Sequence, residues 1–178
     1  MSPYTTFDDI RSINEKIDRN VIIKEAYSRQ YPSVFLSHSS ADHESLPAVI
    51  KILENHGGRV YIDDGDPRLS GKVNPNTAEV LRETIGKCSK LVVLVTTNTK
   101  DSRWVPWELG LGDGKKFQSS IAIFPVVKDS LTESWHEQEY LGLYKRIVWS
   151  KFKGKDKSEW MVWDHNDNTA TGLGEWLR

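Results

Sequence analysis

The run Leu91-Val92-Val93-Leu94-Val95 decides how the rest of this sequence is interpreted. It is an uninterrupted series of leucine and valine side chains. Such a run is typical of a strand that is covered on both faces, as in a parallel sheet with helices above and below. It is also among the longest apolar stretches of the chain and is far shorter than the ~20 residues needed to cross a bilayer. We therefore predict that residues 91–95 form the middle strand of a parallel sheet and that the chain has no membrane span.

Short β-rich runs alternate with helical periodicity on both sides of this strand. The other predicted strands are residues 33–37, 59–63, 121–127 and 146–149. The predicted helices are residues 42–56, residues 77–88, a short helix that begins near Trp104 and is closed by Gly112-Asp113-Gly114, and residues 130–140. This alternation is the signature of βαβ units around a parallel sheet. The sequence therefore predicts an α/β fold in which five parallel strands carry helices on both faces.

Two of these helices have recognisable features in the sequence. Asn76, with Glu79 three residues later, resembles a capping box at the start of the helix 77–88. In the next helix, Trp104, Trp107 and Leu111 recur at positions i, i+3 and i+7. This spacing predicts that the three side chains share one helical face.

Two segments flank the predicted sheet, so we expect three parts in the chain: residues 1–32, 33–149 and 150–178. The first part is predicted to be a helical extension, because four apolar residues approximate one helical face after a cap at Thr5 or Thr6. Those residues are Phe7, Ile10, Ile13 and Ile17. The last part is expected to be a C-terminal extension packed on the central part. Its expected anchors are Trp160, Trp163 and Trp176, together with Trp149 at the end of the central part.

The composition argues against several classes of protein. The 178 residues include 24 Lys and Arg against 25 Asp and Glu, a formal charge of −1, so there is no positive excess to hold nucleic acid. The single Cys88 cannot form an intrachain disulfide, which favours a reducing cytoplasm. Residues 1–31 lack the basic start and apolar stretch of a secretion signal.

Chemistry-bearing residues are expected just beyond the carboxyl ends of the strands, where open α/β sheets bind ligands. The most informative cluster is residues 102–109, in which Trp104 and Glu108 are spaced to lie on one helical face one turn apart. A carboxylate beside an aromatic ring suits a nucleotide whose sugar becomes cationic during reaction. An amphipathic helix with a solvated glutamate gives the same spacing, so the spacing alone leaves both interpretations open.

Sharper motifs are absent. The loop from Gly65 to Lys72 has the wrong glycine spacing for a phosphate loop, and Val73 stands where such a loop needs Ser or Thr. Ser37 and Ser39 lack the Gly-x-Ser-x-Gly context of a nucleophile. No pair of metal ligands at helical spacing is present around His38 and His43, so no metal site is expected.

Four segments taken together resemble a bacterial Toll/interleukin-1 receptor (TIR) domain: residues 34–42, 60–64, 91–95 and 102–109. The resemblance covers about two-thirds of the chain, and it implies a flavodoxin-like sheet of five parallel strands. A lone TIR core with short extensions is similar to the TIR subunits of Thoeris antiphage defence systems.

The resemblance also implies an activity and site residues. Many TIR domains cleave the nicotinamide–ribose bond of NAD+, which is a substrate rather than a cofactor. Glu108 would be the catalytic glutamate, and Trp104 would belong to the nucleotide-binding surface. His38, Ser39 and Asp63 are candidates for further nucleotide contacts, although family members often carry an aromatic residue or arginine where this chain has His38 and Ser39. Residues 64–75 would be the BB loop, in which Leu69, Gly71 and Lys72 serve assembly.

The expected function is therefore an NAD+ glycohydrolase or cyclase that yields nicotinamide and ADP-ribose or a cyclic ADP-ribose isomer. The expected role is an antiviral signal, with self-association through TIR surfaces and a separate effector protein that the nucleotide product activates. One alternative is a non-catalytic module that works by TIR–TIR contacts, as receptor adaptors do. A third possibility is a nucleotide-binding regulator or nucleoside transferase of similar architecture.

Overall fold

The computed structural model describes residues 4–66, 75–102, 104–128 and 139–178. Five parallel strands form the centre of its sheet, in the order β3-β2-β4-β5-β6. They are β2 (Val34–Ser37), β3 (Val60–Tyr61), β4 (Lys90–Val95), β5 (Ile121–Val127) and β6 (Lys145–Ser150). This is the flavodoxin-like order, and β4 is the middle of the five parallel strands, as predicted.

The described sheet is larger than the five strands expected from the sequence. At one edge, β7 (Glu159–Asp164) and β8 (Thr169–Gly172) continue it in antiparallel register. Near the other end of the chain, β1 (Thr5–Thr6) pairs in parallel with the last two residues of β5. The expected count of strands was too low for two reasons. β1 has only two residues, which are too few to show a pattern. In β7, the side chains of Trp160, Val162 and Trp163 suggested isolated anchors and not a strand.

Helices cover both faces of the sheet, which confirms the predicted fold class. The described helices are α1 (Phe7–Asn14), α2 (Arg19–Tyr27), α3 (Leu46–Asn55), α4 (Pro75–Lys87), α5 (Trp104–Lys115) and α6 (Leu173–Trp176). Buried residues of α1, α2, α3 and α6 join one apolar cluster with the sheet, and those of α4 and α5 join another on the opposite face. No helix in these described ranges is long and apolar enough to span a membrane.

Several helix boundaries differ from the predictions. Phe7, Ile10 and Ile13 belong to a helix that ends at Asn14. Ile17 lies beyond it, because Asp18 caps a separate helix by accepting a hydrogen bond from the Val21 amide at 3.2 Å. The predicted cap at Asn76 is wrong, since α4 already begins at Pro75. The predicted stop at Gly112 is also wrong: α5 continues to Lys115.

Other predictions hold or fall outside the described ranges. The Thr6 cap is confirmed, because its Oγ1 accepts a hydrogen bond from the Asp9 amide at 3.2 Å. The predicted helix 130–140 lies mostly outside the described residues, which resume with a 3₁₀ turn at Glu139–Leu143.

The tryptophans of the C-terminal segment contact the sheet and its flanking turns. The ring centroid of Trp160 lies 5.4 Å from that of Phe124 on β5. The indole N–H of Trp176 donates to the Ser119 carbonyl at 2.8 Å. Trp149 is 49% exposed and contacts Trp160, the residue opposite it on β7. The division of the chain at residues 32 and 149 stays a prediction.

Candidate active site

The inner face of α5 carries one charged side chain among apolar ones. Val105, Glu108, Leu109 and Gly112 are all buried and follow the spacing i, i+3, i+4 and i+7. A helix of this spacing ordinarily presents only apolar side chains to the core. Glu108 is 1% exposed, so it is not the solvated glutamate of an amphipathic helix.

This face is not the one predicted from the tryptophan spacing. Trp107 and Leu111 are only partly buried, and the Trp104 side chain lies outside the described part of the structure. The prediction assigned the largest apolar side chains to the buried face of the helix. The smaller residues Val105 and Gly112 are the ones that are buried against the sheet. The proposed role of Trp104 therefore stays a prediction.

Ser37, the last residue of β2, contacts Glu108 directly. Its hydroxyl donates a hydrogen bond to Glu108 Oε2 at 2.5 Å, and both side chains are buried. Glu108 Oε1 is also buried, and no described residue gives it a hydrogen bond. The sequence pattern tested Ser37 only for the context of a nucleophile and did not predict this contact. The available signal was its position at a strand end, on the same face of the sheet as the buried Phe35.

Two further predicted site residues, His38 and Asp63, lie beside each other at the ends of β2 and β3. His38 Nδ1 is 3.8 Å from Asp63 Oδ1 and 3.3 Å from the Leu36 carbonyl oxygen. The His38 side chain is nearly inaccessible, whereas that of Asp63 is 27% exposed. The structure thus brings a carboxyl group and an imidazole together at the carboxyl ends of the parallel strands, where open α/β sheets bind ligands.

The electrostatics of Glu108 follow from this arrangement. Burial raises the pKa of Glu108 well above its usual range, the negative charge of Asp63 raises it further, and the Ser37 hydrogen bond acts in the opposite direction. Burial also raises the pKa of Asp63, against the influence of His38. Glu108 and Asp63 are therefore two interacting carboxyl groups, of which the first is buried and the second is partly exposed.

Ser39 and Asp42 organise the turn that follows β2. Ser39 Oγ accepts from the Ala41 amide at 3.4 Å, a local cap, so its predicted nucleotide contact remains a prediction. Asp42 is 2% exposed, and its Oδ1 accepts from Thr96 Oγ1 and Asn98 Nδ2, each at 2.8 Å. This carboxylate joins the turns after β2 and β4, and sequence analysis did not single it out.

With this geometry in place, comparison with known proteins identifies the fold family. The family model described as TIR domain matches residues 34–162. The chain belongs to the TIR family. The matched range contains Ser37, His38, Asp63 and Glu108, and it extends beyond the fifth parallel strand of the TIR domain into β7.

A curated relative of this TIR protein occurs in Bacillus cereus (strain MSX-D12). It is 35% identical over 151 residues, which cover 82% of this chain and 76% of the relative. The relative is named probable 3' cyclic ADP-D-ribose synthase ThsB'.

The first residues of the predicted BB loop, Asp64 to Asp66, make two side-chain contacts with the rest of the domain. The Tyr61 hydroxyl donates to Asp66 Oδ2 at 2.6 Å, and His43 Nδ1 lies 3.0 Å from Asp64 Oδ2. Gly65 has a φ of +86°, and a Cβ there would lie 3.0 Å from the Tyr27 ring of α2. The predicted assembly residues Leu69, Gly71 and Lys72 lie outside the described residues.

In the described part of the TIR protein, no group of three or more His, Cys, Asp or Glu side chains could hold a metal ion. Cys88, which is buried on α4's side of the sheet, lies in the apolar cluster.

Proposed function

We propose that this TIR protein cleaves the nicotinamide–ribose bond of NAD+ and closes the remaining ADP-ribosyl unit into a cyclic ADP-ribose, with ADP-ribose as the hydrolytic alternative. The observation that carries the proposal is Glu108, a buried carboxylate at the ligand-binding edge with one oxygen fixed by Ser37 and the other unbonded among the described residues. The cyclase name of the Bacillus cereus relative agrees with this chemistry.

The leaving group explains why one carboxylate suffices. Nicotinamide in NAD+ carries a positive charge, so the electron pair of the breaking C–N bond neutralises it and no general acid is needed. Ordinary glycosidases need a second carboxyl group to protonate their leaving oxygen. Positive charge then develops on the ribose, and the carboxylate of Glu108 stabilises it in a site of low dielectric.

The second step decides the product. Attack by water on the cationic ribose carbon forms a C–O bond, releases a proton and gives ADP-ribose. Attack by a hydroxyl of the other ribose releases a proton in the same way and gives a cyclic product. Because the relative is named for a 3' cyclic ADP-ribose, we propose the same isomer for this chain.

The ionisation of Glu108 is coupled to the substrate. Burial and the charge of Asp63 disfavour the carboxylate in the free protein. A bound cationic nicotinamide has the opposite effect, because an opposite charge within a few ångströms favours the ionised form. The Ser37 hydroxyl keeps the carboxyl group in place in both states.

Further contacts and partners belong to the same proposal. His38, Ser39, Asp63 and Trp104 would contact the nucleotide, and the BB loop with Leu69, Gly71 and Lys72 would mediate self-association. The activity would be cytoplasmic, and its cyclic product would activate a separate effector protein during phage infection.

The test is to incubate the purified full chain with NAD+ and to measure nicotinamide and ADP-ribose isomers by mass spectrometry, at low and at high protein concentration. We expect Glu108→Gln to reduce nicotinamide release by about 100-fold or more, as for loss of a preorganised electrostatic group. Glu83→Gln is the control, because Glu83 is an exposed residue of α4. Equal turnover by Glu108→Gln would overturn the proposal. Self-association without nicotinamide release at any concentration would favour the adaptor interpretation.

A further inference from the structure

We propose that Gly112 is a positioning residue for Glu108: its missing side chain sets the depth at which α5 packs on β4, and that depth places Glu108 against Ser37. This inference rests on the proposed function in so far as it concerns the rate of NAD+ cleavage. Its structural part, the depth of α5, stands on the contacts described below.

The first observation is the approach of α5 to Leu91. A Cβ atom added at Gly112 would lie 2.2 Å from Leu91 Cδ2. This is far inside the ~3.5–4.0 Å at which carbon atoms attract one another. The next nearest atoms, Leu91 Cγ and Cβ, would be at 3.5 and 3.8 Å, which are ordinary contacts. One side-chain methyl group of Leu91 therefore defines the space that Gly112 leaves free.

Leu91 lies in the interior of the sheet. It is fully buried, and its backbone is paired with Phe35 on β2 and Ile121 on β5. Close-packed interiors resist rotamer changes of such residues. A methyl group at position 112 would therefore displace α5 from the sheet more readily than it would displace Leu91.

The second observation links this contact to the site. Glu108 precedes Gly112 by four residues, so the two positions lie on the same face of α5 one turn apart. The hydrogen bond from Ser37 to Glu108 spans the gap between β2 and this same face at 2.5 Å. Because O–H···O bonds usually measure about 2.5–3.0 Å, an outward shift of α5 by about 1 Å takes this one beyond the usual range and weakens it strongly.

The glycines of α5 differ in this respect. A Cβ at Gly110 or Gly114 would meet nothing within 4 Å. Each glycine inside a helix costs about 1 kcal/mol relative to alanine. Only Gly112 offsets that cost with a close contact to the sheet, and the other two supply matched controls on the same helix.

The experiment measures kcat and KM for NAD+ together with the melting temperature. We expect Gly112→Ala to lower kcat about tenfold or more, as small misplacements of reacting groups do. Gly110→Ala and Gly114→Ala should keep kcat within about twofold and raise the melting temperature slightly. Adding Leu91→Ala to Gly112→Ala should restore most of the lost kcat, although it removes buried apolar volume and lowers stability. If that double variant does not fold, Leu91→Val also removes Cδ2.

Rescue of kcat in a less stable protein separates positioning from stability. The proposal is overturned if Gly112→Ala has the same kcat as Gly110→Ala, or if the double variant loses as much as both single variants combined. A wild type that releases no nicotinamide contradicts the proposed function instead. The depth of α5 is then tested by the stabilising effect of Glu108→Gln across pH, which should be smaller in the Gly112→Ala background because Glu108 is better hydrated. An unchanged effect would overturn the structural part as well.

Discussion

The hydroxyl of Ser37 donates a hydrogen bond to Glu108 across 71 residues of sequence. The bond joins the end of β2 to the inner face of α5, two elements that meet only when the sheet is assembled. A single neutral donor thus fixes a carboxyl group and lowers its pKa, in opposition to burial and the charge of Asp63, which raise it. Changes at Ser37 and at Asp63 are therefore expected to move the pH dependence of the reaction in opposite directions.

Ser37→Ala should lower kcat/KM near neutral pH by about 10- to 100-fold, because hydrogen bonds to charged groups contribute ~1.5–3 kcal/mol. The acidic limb of the rate profile should move to higher pH, since loss of the hydrogen bond raises the pKa of Glu108 further. The measurement is nicotinamide release across pH. Ser89→Ala is the control, because Ser89 lies at the amino ends of the parallel strands and donates to the Ser33 carbonyl there. An acidic limb that stays in place would contradict the role of Ser37.

Asp63→Asn should move the same limb to lower pH. The negative charge of Asp63 raises the pKa of Glu108, so its removal allows Glu108 to ionise in more acidic solution. If Asp63 also contacts the nucleotide, KM rises as well, and the pH shift is read from kcat. A shift toward alkaline pH would show that Asp63 does not act on Glu108 through its charge.

Glu108→Gln should stabilise the folded protein, and increasingly so at higher pH. The folded pKa of Glu108 is raised above its ordinary value of 4.5, so below that value both states hold the proton and the two proteins differ least. As pH rises from 4.5 toward the folded pKa, the unfolded wild type releases its proton while the folded protein still holds it, so the wild type loses stability. Melting temperatures measured from about pH 4 to about pH 8 test this. Exposed Glu83→Gln should show no such trend.

Asp42→Ala should destabilise the fold by about 2–4 kcal/mol, because the hydroxyl of Thr96 and the amide of Asn98 lose their shared acceptor. For a chain of this size the melting temperature should fall by roughly 5–15 °C. Asp156→Ala, in an exposed turn, should change it by little. Equal melting temperatures for the two variants would mean that the turns after β2 and β4 hold together without Asp42.

Gly71→Arg, in the predicted BB loop, should reduce turnover and self-association together. The measurement pairs sedimentation velocity with nicotinamide release over the same range of protein concentration. Loss of turnover with unchanged sedimentation would assign the loop to substrate access. Unchanged values of both would remove the loop from the proposal.

The parallel core was predictable because apolar runs such as residues 91–95 report burial on both faces of a sheet. The edges were not. β1 gains its stability from a pairing with β5 that lies more than a hundred residues away, and a two-residue segment carries no periodicity. The half-buried β7 mixes large aromatic and polar side chains and so lacks a clean alternation. Sequence patterns report burial well and pairing poorly.

The site was predictable in part for the same reason. The strand-end rule brought His38 and Asp63 to one edge, and the family resemblance selected Glu108. Ser37 and Gly112 were not predicted because their roles depend on distances between elements. Ser37 on β2 donates a hydrogen bond to α5, and Gly112 on α5 leaves space for Leu91 of β4. Neither a hydroxyl at a strand end nor a glycine in a helix is distinctive along the chain.

The pairing of β1 with the end of β5 also constrains the order in which the protein is built. Tyr4 receives a hydrogen bond from Arg146 at 2.6 Å, across 142 residues. During translation, residues 4–6 must therefore wait until β5 and β6 have emerged before they reach their final partners. Contacts of such long range form late in folding. β1 is thus added at the carboxyl end of β5 only after the parallel strands that flank β5 have been synthesised.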